Sequence, residues 1–215
     1  MDKKLHDYRK SYEKNALIEA QISENPYSLF TDWFKEVEAD GGVEEPNAMT
    51  LTTIGLDGYP KARIVLLKSY NEDGFVCYTN YNSEKGTAIA QNHQVGLSFF
   101  WPNLERQVII KGLAEKISEK ESTAYYHSRP RGSQLGAWAS DQSTEISSRE
   151  VLEERLQQLE KTYREGMEIP KPPNWGGYRI VPTAMEFWQG RPNRLHDRIY
   201  YERVHDEWAY KRLAP

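Results

Sequence analysis

Apolar residues along this chain recur at two spacings, and the switches between them divide it into elements. The first two dozen residues are mostly polar, with Leu5, Tyr8, Tyr12 and Leu17 scattered among them, and predict no more than a weakly packed helix. Behind Pro26, Leu29, Phe30, Trp33, Phe34 and Val37 fall at helical spacing, and Gly41-Gly42 stops that helix. A strand-rich stretch follows. Residues 48–54 carry β-branched side chains before the turn Gly55-Leu56-Asp57-Gly58. A second strand over 61–69 ends at Asn71-Glu72-Asp73-Gly74, and a third over 75–79 completes a meander. Residues 83–92 read as a short crossover helix, ahead of strands over 95–101 and 107–117. Two capping boxes, Ser118-x-x-Glu121 and Ser147-x-x-Glu150, announce helices, the second continuing through the column Leu152, Leu156 and Leu159. Pro170, Pro172 and Pro173 stiffen a connector to Asn174-Trp175-Gly176-Gly177, after which strands are predicted over 178–181, 185–189, 199–202 and 208–212.

Strands interrupted by single helices and joined by short turns predict a mainly β chain with helices, an α+β fold. The expected architecture is an antiparallel, Greek-key-like barrel decorated by helices, with an open α+β sandwich as the alternative. No repeat and no compositional shift marks a boundary, so one domain is expected over 1–215, its segment 1–24 mobile.

Composition narrows the function. Hydrophobic residues make up 38% of the 215, and 14 Tyr, 6 Trp and 6 Phe supply enough apolar area for a folded core. The longest apolar run, Ile64-Val65-Leu66-Leu67, is far short of the ~20 residues of a membrane helix. The opening residues hold no apolar signal core, so a soluble, cytoplasmic protein is expected, with no membrane partner. The single cysteine, Cys77, excludes an internal disulfide and reads as a small buried hydrophobe. The five histidines lack metal-ligand spacing, so no metal is expected. A net charge of −4 argues against a nucleic-acid partner. Dinucleotide, Walker-type, nucleophile-elbow and zincin motifs are all missing from the sequence.

Positive charge escapes this acidic background in three windows. In Lys61 through Lys68, strand alternation places Arg63, Val65 and Leu67 on one face and Ile64, Leu66 and Lys68 on the other. On its own this window reads as two strand-end charges facing solvent. The second window, 122–140, has no acid; Tyr125, Arg129 and Ser133 are spaced by four, and Pro130 is expected to break the helix and leave a turn. A phenol, a guanidinium and a hydroxyl converging there suit a phosphate monoester; a solvated basic turn is the alternative. In the third, Phe187 through Arg198, a Gly-Arg-Pro-Asn turn leads to Arg194, His196 and Arg198 alternating along one side of a new strand. Clustering such groups is costly unless an anion compensates them, so this window points to a small anionic ligand.

The blocks Arg63-Ile64-Val65-Leu66-Leu67-Lys68, Tyr78-Thr79-Asn80, Glu105-Arg106-Gln107-Val108, His127-Ser128-Arg129-Pro130-Arg131, Gln134-Leu135-Gly136-Ala137-Trp138, Phe187-Trp188-Gln189-Gly190 and Arg194-Leu195-His196-Asp197-Arg198 occur in this order. With the closing Arg212-Leu213-Ala214-Pro215 they resemble the pyridoxine/pyridoxamine 5′-phosphate oxidase family, from about Tyr8 to the end. The resemblance implies an FMN-binding split β-barrel homodimer with FMN at the subunit interface. It also implies oxidation of pyridoxine 5′-phosphate or pyridoxamine 5′-phosphate to pyridoxal 5′-phosphate. O2 is then the electron acceptor, with hydrogen peroxide formed and ammonia released from the amine.

Carried over by position, the implied FMN contacts are Arg63, Ile64, Val65, Leu66, Leu67, Lys68, Tyr78, Thr79, Lys85, Gln107, Gln142, Ser143, Trp188 and Arg198. Arg63 and Lys85, aided by Gln142 and Ser143, are expected at the FMN phosphate, and Trp188 and Arg198 to reach the flavin from the partner subunit. The implied substrate contacts are Lys68, Tyr125, Arg129 and Ser133 around the phosphate, with Arg194 and His196 over the pyridine ring. Arg9 and Tyr12 match an N-terminal segment that folds over the substrate. Arg194 and His196 are the implied catalytic pair. A guanidinium stays protonated, so Arg194 is expected to position substrate and stabilise developing negative charge. His196 either hydrogen-bonds the substrate or exchanges a proton. One departure stands out: the family often has Ser-Arg-Lys where this chain has Ser83-Glu84-Lys85, so Glu84 is expected to face solvent or a neighbouring cation. A split-barrel oxidase of another small aromatic, as in phenazine pathways, would keep the 63–68 block but lose the Tyr125/Arg129/Ser133 set. A carrier or sensor would lose Arg194 or His196.

Overall fold

The computed structural model describes residues 4–215. Among the described residues, five α-helices and nine strands order themselves as α1 (Pro26–Asp40), β1 (Ala48–Ile54), β2 (Pro60–Leu66), β3 (Ser69–Asn71), β4 (Gly74–Asn80), α2 (Glu84–Gln91), β5 (Gln94–Trp101) and β6 (Arg106–Lys116). Then come α3 (Glu119–Ser128), α4 (Arg131–Ala139), α5 (Glu150–Thr162), β7 (Trp175–Gln189), β8 (Asp197–Val204) and β9 (Glu207–Arg212). The strands form a single sheet in the order β2-β1-β5-β6-β7-β4-β3, with β8 pairing β7 and β9 pairing β8. The pairs β3–β4, β4–β7, β7–β8 and β8–β9 are antiparallel.

The chain divides into two compact units. One comprises the chain up to Leu51, Gly96–Gly112 and Pro182–Pro215. Its core is aromatic: Phe30 packs on Phe99 at 5.2 Å between centroids, Trp33 on Phe187 at 5.2 Å, and Phe187 on Tyr201 at 5.6 Å. Helix α1 delivers Phe30, Trp33 and Val37 to that core from one face. The Asn25 side chain caps it by accepting from the Tyr27 N–H, and Gly41 ends it at φ +66, a left-handed conformation that glycine adopts without a Cβ clash. Short 3-10 turns at Leu5–Asp7 and Glu19–Gln21 stand where a weak helix is predicted.

The other unit comprises Thr52–Val95 and Leu113–Val181. Buried Phe75, Val76 and Cys77 on β4 and Ala88 and Ile89 on α2 form part of its core. Tyr126, Leu135, Ile169 and Trp175 form another cluster, against which Leu156 and Leu159 of α5 pack. Burial pushes the Cys77 thiol up to about 12, consistent with an inert core residue.

Four local expectations are corrected. The second strand ends at Leu66, and the chain restarts as β3 at Ser69. Ser147 does not cap α5: Arg149 is already helical there (φ −65°, ψ −32°), so Glu150 opens the helix instead of occupying its third position. The two strands predicted over 178–181 and 185–189 are one strand, β7. Its pairing with β4 stops at Ile180 and its pairing with β8 starts at Ala184, so Pro182 falls between those two ladders. Lastly, a helix and not a turn follows Pro130. Proline at the N-cap position starts α4, with the Ser133 and Gln134 N–H groups bonding back to its carbonyl.

Candidate functional site

The second unit contains a cleft of about 600 Å³ lined by four segments. Ile64, Val65, Leu66 and Lys68 come from the β2 edge, and Tyr78, Thr79, Asn80 and Lys85 from β4 and the start of α2. Tyr125, Arg129, Pro130, Ser133, Gly136 and Ala137 come from α3 and α4, followed by Ser140 and Gln142, and Trp175 opens β7. Strict alternation fails at the β2 edge: its side chains are exposed or half-buried on both faces, and the consecutive residues Ile64, Val65 and Leu66 all line the cleft. Leu67 turns into the core instead, 4% exposed.

One wall is a stack of parallel rings. Tyr78 lies on Tyr125 at 3.9 Å between centroids and 19°, and on Trp175 at 5.4 Å and 10°. Register on β4–β7 sets this up by pairing Tyr78 with Gly177 and Thr79 with Gly176. A Cβ at Gly177 would sit 2.9 Å from the Tyr78 ring, and one at Gly176 would sit 2.2 Å from the Tyr81 hydroxyl. Arg129, the C-cap residue of α3, lays its guanidinium over Trp175 at 4.7 Å. Its Nη1 is buried and has no hydrogen-bond partner among the described residues. Burial lowers the Arg129 pKa, partly offset by Tyr125 and Tyr126, and the guanidinium remains a cation.

A second cationic group sits where β4 passes into α2. Ser83 caps α2 by accepting from the Gly86 N–H, which fixes Lys85 in the first turn. Lys85 Nζ reaches three neutral oxygens: Gln142 Oε1 at 3.0 Å, Thr79 Oγ1 at 3.1 Å and Ser83 Oγ at 3.4 Å. Gln142 is held by a turn in which Asp141 pairs with Arg155 at 2.9 Å, and Ser143 follows at φ +74. Burial lowers the Lys85 pKa first, and the Arg63 charge lowers it further. Arg63 donates to Thr53 Oγ1 at 2.9 Å, and its own pKa is lowered by burial against the opposing pull of Glu84. Glu84 pairs with Lys61, which is one of the two arrangements expected for it.

The remaining predicted residues lie in the first unit. Tyr12, Trp188 and His196 form an aromatic trio: Trp188 to His196 is 4.6 Å, Tyr12 to Trp188 is 5.7 Å and Tyr12 to His196 is 5.8 Å. His196 Nδ1 accepts the Arg191 backbone N–H at 3.1 Å, so the neutral ring carries its proton on Nε2. Burial and the neighbouring Arg194 charge lower the His196 pKa, against Asp197. Arg194 does not alternate with His196 and Arg198 on a strand, which corrects the sequence expectation. Asn193 and Arg194 adopt φ +57 and +62 in a tight turn, and β8 begins only at Asp197. Arg198 donates Nε to Glu186 at 2.7 Å and Nη1 to the Ala214 carbonyl at 2.8 Å. Gln107 donates to Ser98 Oγ at 3.0 Å, and Arg9 is exposed.

The second unit therefore gathers Ile64, Val65, Leu66, Lys68, Tyr78, Thr79, Lys85, Tyr125, Arg129, Ser133 and Gln142 around one cleft, with Arg63, Leu67 and Ser143 outside its lining. Trp175 is a lining residue that sequence reasoning missed; the glycine pair after it was the available signal. Parallel rings beside two separated cationic groups can take flat, phosphorylated ligands, a task for a cofactor-binding α+β protein.

Comparisons with known proteins give that class its family. Residues 35–163 match the family model described as pyridoxamine 5′-phosphate oxidase, and residues 175–215 match the pyridoxine 5′-phosphate oxidase C-terminal dimerisation region. A pyridoxine/pyridoxamine 5′-phosphate oxidase of Flavobacterium psychrophilum is 59% identical, over 99% of this chain and 100% of its own. Its counterpart in Christiangramia forsetii is 54% identical over 100% of both. Among solved structures, PhzG from Burkholderia lata 383, in complex with tetrahydrophenazine-1-carboxylic acid, superposes with a TM-score of 0.86 at 28% identity, covering 94% of this chain and 98% of its own. An FMN-binding protein related to pyridoxamine 5′-phosphate oxidase, from Nostoc punctiforme, has the same fold, with a TM-score of 0.71 at 17% identity over 90% of this chain and 100% of its own. The chain belongs to the pyridoxamine 5′-phosphate oxidase family, and the expected split-barrel α+β fold is the fold it shares with these relatives.

Proposed function

We propose that this protein is an FMN-dependent oxidase that converts pyridoxine 5′-phosphate and pyridoxamine 5′-phosphate to pyridoxal 5′-phosphate, acting in the cytoplasm as a homodimer. The observation that carries the reading is Arg129: a half-buried guanidinium with a buried, unpartnered Nη1, laid over Trp175 in a cleft that also holds Lys68, Tyr125 and Ser133. A buried donor without an acceptor costs about 1–3 kcal/mol, and a phosphate monoester arriving there removes that cost. The start of α4 beside Ser133 adds the favourable end of a helix dipole for the same anion.

The donor set fits FMN as well. Lys85, held by three neutral oxygens, and Arg63 are two cations whose pKa values burial lowers, and a phosphate dianion would compensate both. Gln142 and Ser143 add polar groups in the adjoining turn, and Ile64, Val65, Leu66 and Lys68 border the cleft. Gln107, Trp188 and Arg198 are assigned to the flavin, Trp188 and Arg198 reaching it from the partner subunit. The match of residues 175–215 to a dimerisation region supports this assignment. FMN, when bound, supplies the two-electron acceptor, and O2 carries the electrons on to hydrogen peroxide.

The chain's own residues orient and hold charge. Two phosphate anchors fix two planar rings away from their reacting atoms, and such positioning supplies several kcal/mol of a barrier. Arg194 positions the substrate and offsets developing negative charge. His196, with Nδ1 occupied by the Arg191 N–H, presents Nε2 as a donor in its neutral form. Tyr12 and Arg9 cover the substrate. A phenazine-type substrate, suggested by the similarity to PhzG, would leave the Lys68, Tyr125, Arg129 and Ser133 set without a phosphate to bind. The test is stoichiometric. FMN-loaded protein given pyridoxine 5′-phosphate should form one hydrogen peroxide per pyridoxal 5′-phosphate, and turnover of unphosphorylated pyridoxine at the same rate would overturn the phosphate assignment.

A further inference from the structure

Glu105 carries a carboxylate that the reaction above does not use. Its side chain is 1% exposed, on a backbone at φ +57. Oε1 accepts from Lys10 Nζ at 2.9 Å, and Oε2 accepts the N–H groups of Glu13 at 2.9 Å and Lys14 at 3.1 Å. All three donors belong to the N-terminal segment. Meanwhile the Glu105 carbonyl accepts the Gly190 N–H at 2.7 Å and Gln189 Nε2 at 3.2 Å. One residue thus grips the segment with its side chain and the end of β7 with its backbone.

Tyr12 lies between those grips, edge-on to Trp188 and against His196. The approach is close enough that a Cβ on Gly190 would stand 2.8 Å from Tyr12 Cβ and Cγ and 3.0 Å from Glu105 Cβ. A second clamp holds the far end: Asp197 Oδ2 accepts the Leu17 N–H at 3.0 Å, and Arg212 Nη2 donates to the Leu17 carbonyl at 2.8 Å. A buried carboxylate stripped of its donors is strongly unfavourable, so docking of the segment and burial of Glu105 stabilise one another.

We infer that Glu105 is a positioning residue for the substrate side of the site: it holds residues 10–14 so that Tyr12 rests against Trp188 and His196. The inference rests on the proposed assignment of Tyr12 and His196 to the substrate. Glu105 touches none of the reacting groups itself, and its effect passes through Tyr12.

The test uses the FMN-loaded full chain. Glu105→Gln keeps the volume but loses the charge and one acceptor. It should raise KM for pyridoxine 5′-phosphate about 5- to 20-fold, change kcat by less than about 2-fold, and speed tryptic cleavage after Lys14. In a Tyr12→Ala background the KM effect should disappear, because a residue acting through Tyr12 cannot add to its loss. Lys10→Met, at an exposed position, should shift KM and cleavage the same way by a smaller factor, and it stands in if Glu105→Gln fails to fold. Effects of Glu105→Gln and Tyr12→Ala that multiply would overturn the inference. So would unchanged cleavage and KM in Lys10→Met. A wild-type protein that does not oxidise pyridoxine 5′-phosphate removes the reading beneath it, whereas active wild type with full protection in both variants removes the positioning role alone.

Discussion

The Arg129 guanidinium lies over the Trp175 ring, 4.7 Å from its centroid, with Nη1 buried and unpartnered. A cation–π contact satisfies the charge in part but gives that N–H no acceptor. On the proposed reading, this guanidinium is the preformed half of a phosphate site and need not move to meet the anion.

Replacing Arg129 by Met should therefore separate binding from stability. A hydrogen bond to a charged group contributes about 1.5–3 kcal/mol, so KM for pyridoxine 5′-phosphate should rise about 10- to 100-fold. The melting temperature of the FMN-loaded protein should not fall, because Met fills the volume and removes an unsatisfied donor. Steady-state kinetics beside a thermal melt checks both.

Arg63→Ala and Lys85→Met should release FMN, read as flavin absorbance remaining after dialysis. Arg194→Ala should keep its flavin and lose about 100-fold in kcat, the scale of removing one charge-stabilising donor. Arg63→Ala protein that retains flavin would show that another group anchors the phosphate.

Glu84 is half-exposed and paired with Lys61, and its charge acts on both Arg63 and Lys85. Glu84→Arg removes a like charge near the expected dianion. At so exposed a position the gain is about 0.2–1 kcal/mol, so FMN should bind about 2- to 5-fold more tightly by fluorescence titration, and less so in high salt.

His196 titrates below its ordinary 6.5, because of burial first and the Arg194 charge second. The unfolded chain therefore takes up the proton first as pH falls. The stability tied to neutral His196 is full above about 6.5 and is lost as pH drops through the window between the unfolded and folded values. Arg194→Met should move the His196 ring resonance titration upward in an NMR series from about pH 5 to 8. An unmoved midpoint would show that Arg194 does not act on this ring.

Much of this was legible in the sequence where one local rule governs. The 3.6-residue spacing of Leu29, Phe30, Trp33 and Val37 with Gly41 behind it gave α1, and Ser118 with Glu121 gave the start of α3. The helix after Pro130 was missed because proline was read as a breaker, although it equally opens helices. β7 runs unbroken through Pro182 because the strand changes pairing partner there from β4 to β8, a property of the sheet and not of the local sequence. At the site, the spacing of Tyr125, Arg129 and Ser133 found three residues of one cleft, with Tyr125 on α3, Arg129 at its C-cap and Ser133 on the helix that replaces the expected turn. Trp175 escaped notice because only the antiparallel register of β4 and β7 brings it alongside Tyr78. Glu105 stands in one of the blocks that carry the resemblance, but its role was not legible there, since its donors lie more than 90 residues away.

The most direct measurement is the visible spectrum of FMN-loaded protein before and after pyridoxine 5′-phosphate is added without oxygen. Bleaching of the bound-flavin band, and its return on admitting air with pyridoxal 5′-phosphate in solution, is the expected result. Bound flavin that stays oxidised under saturating substrate would contradict the proposed oxidase.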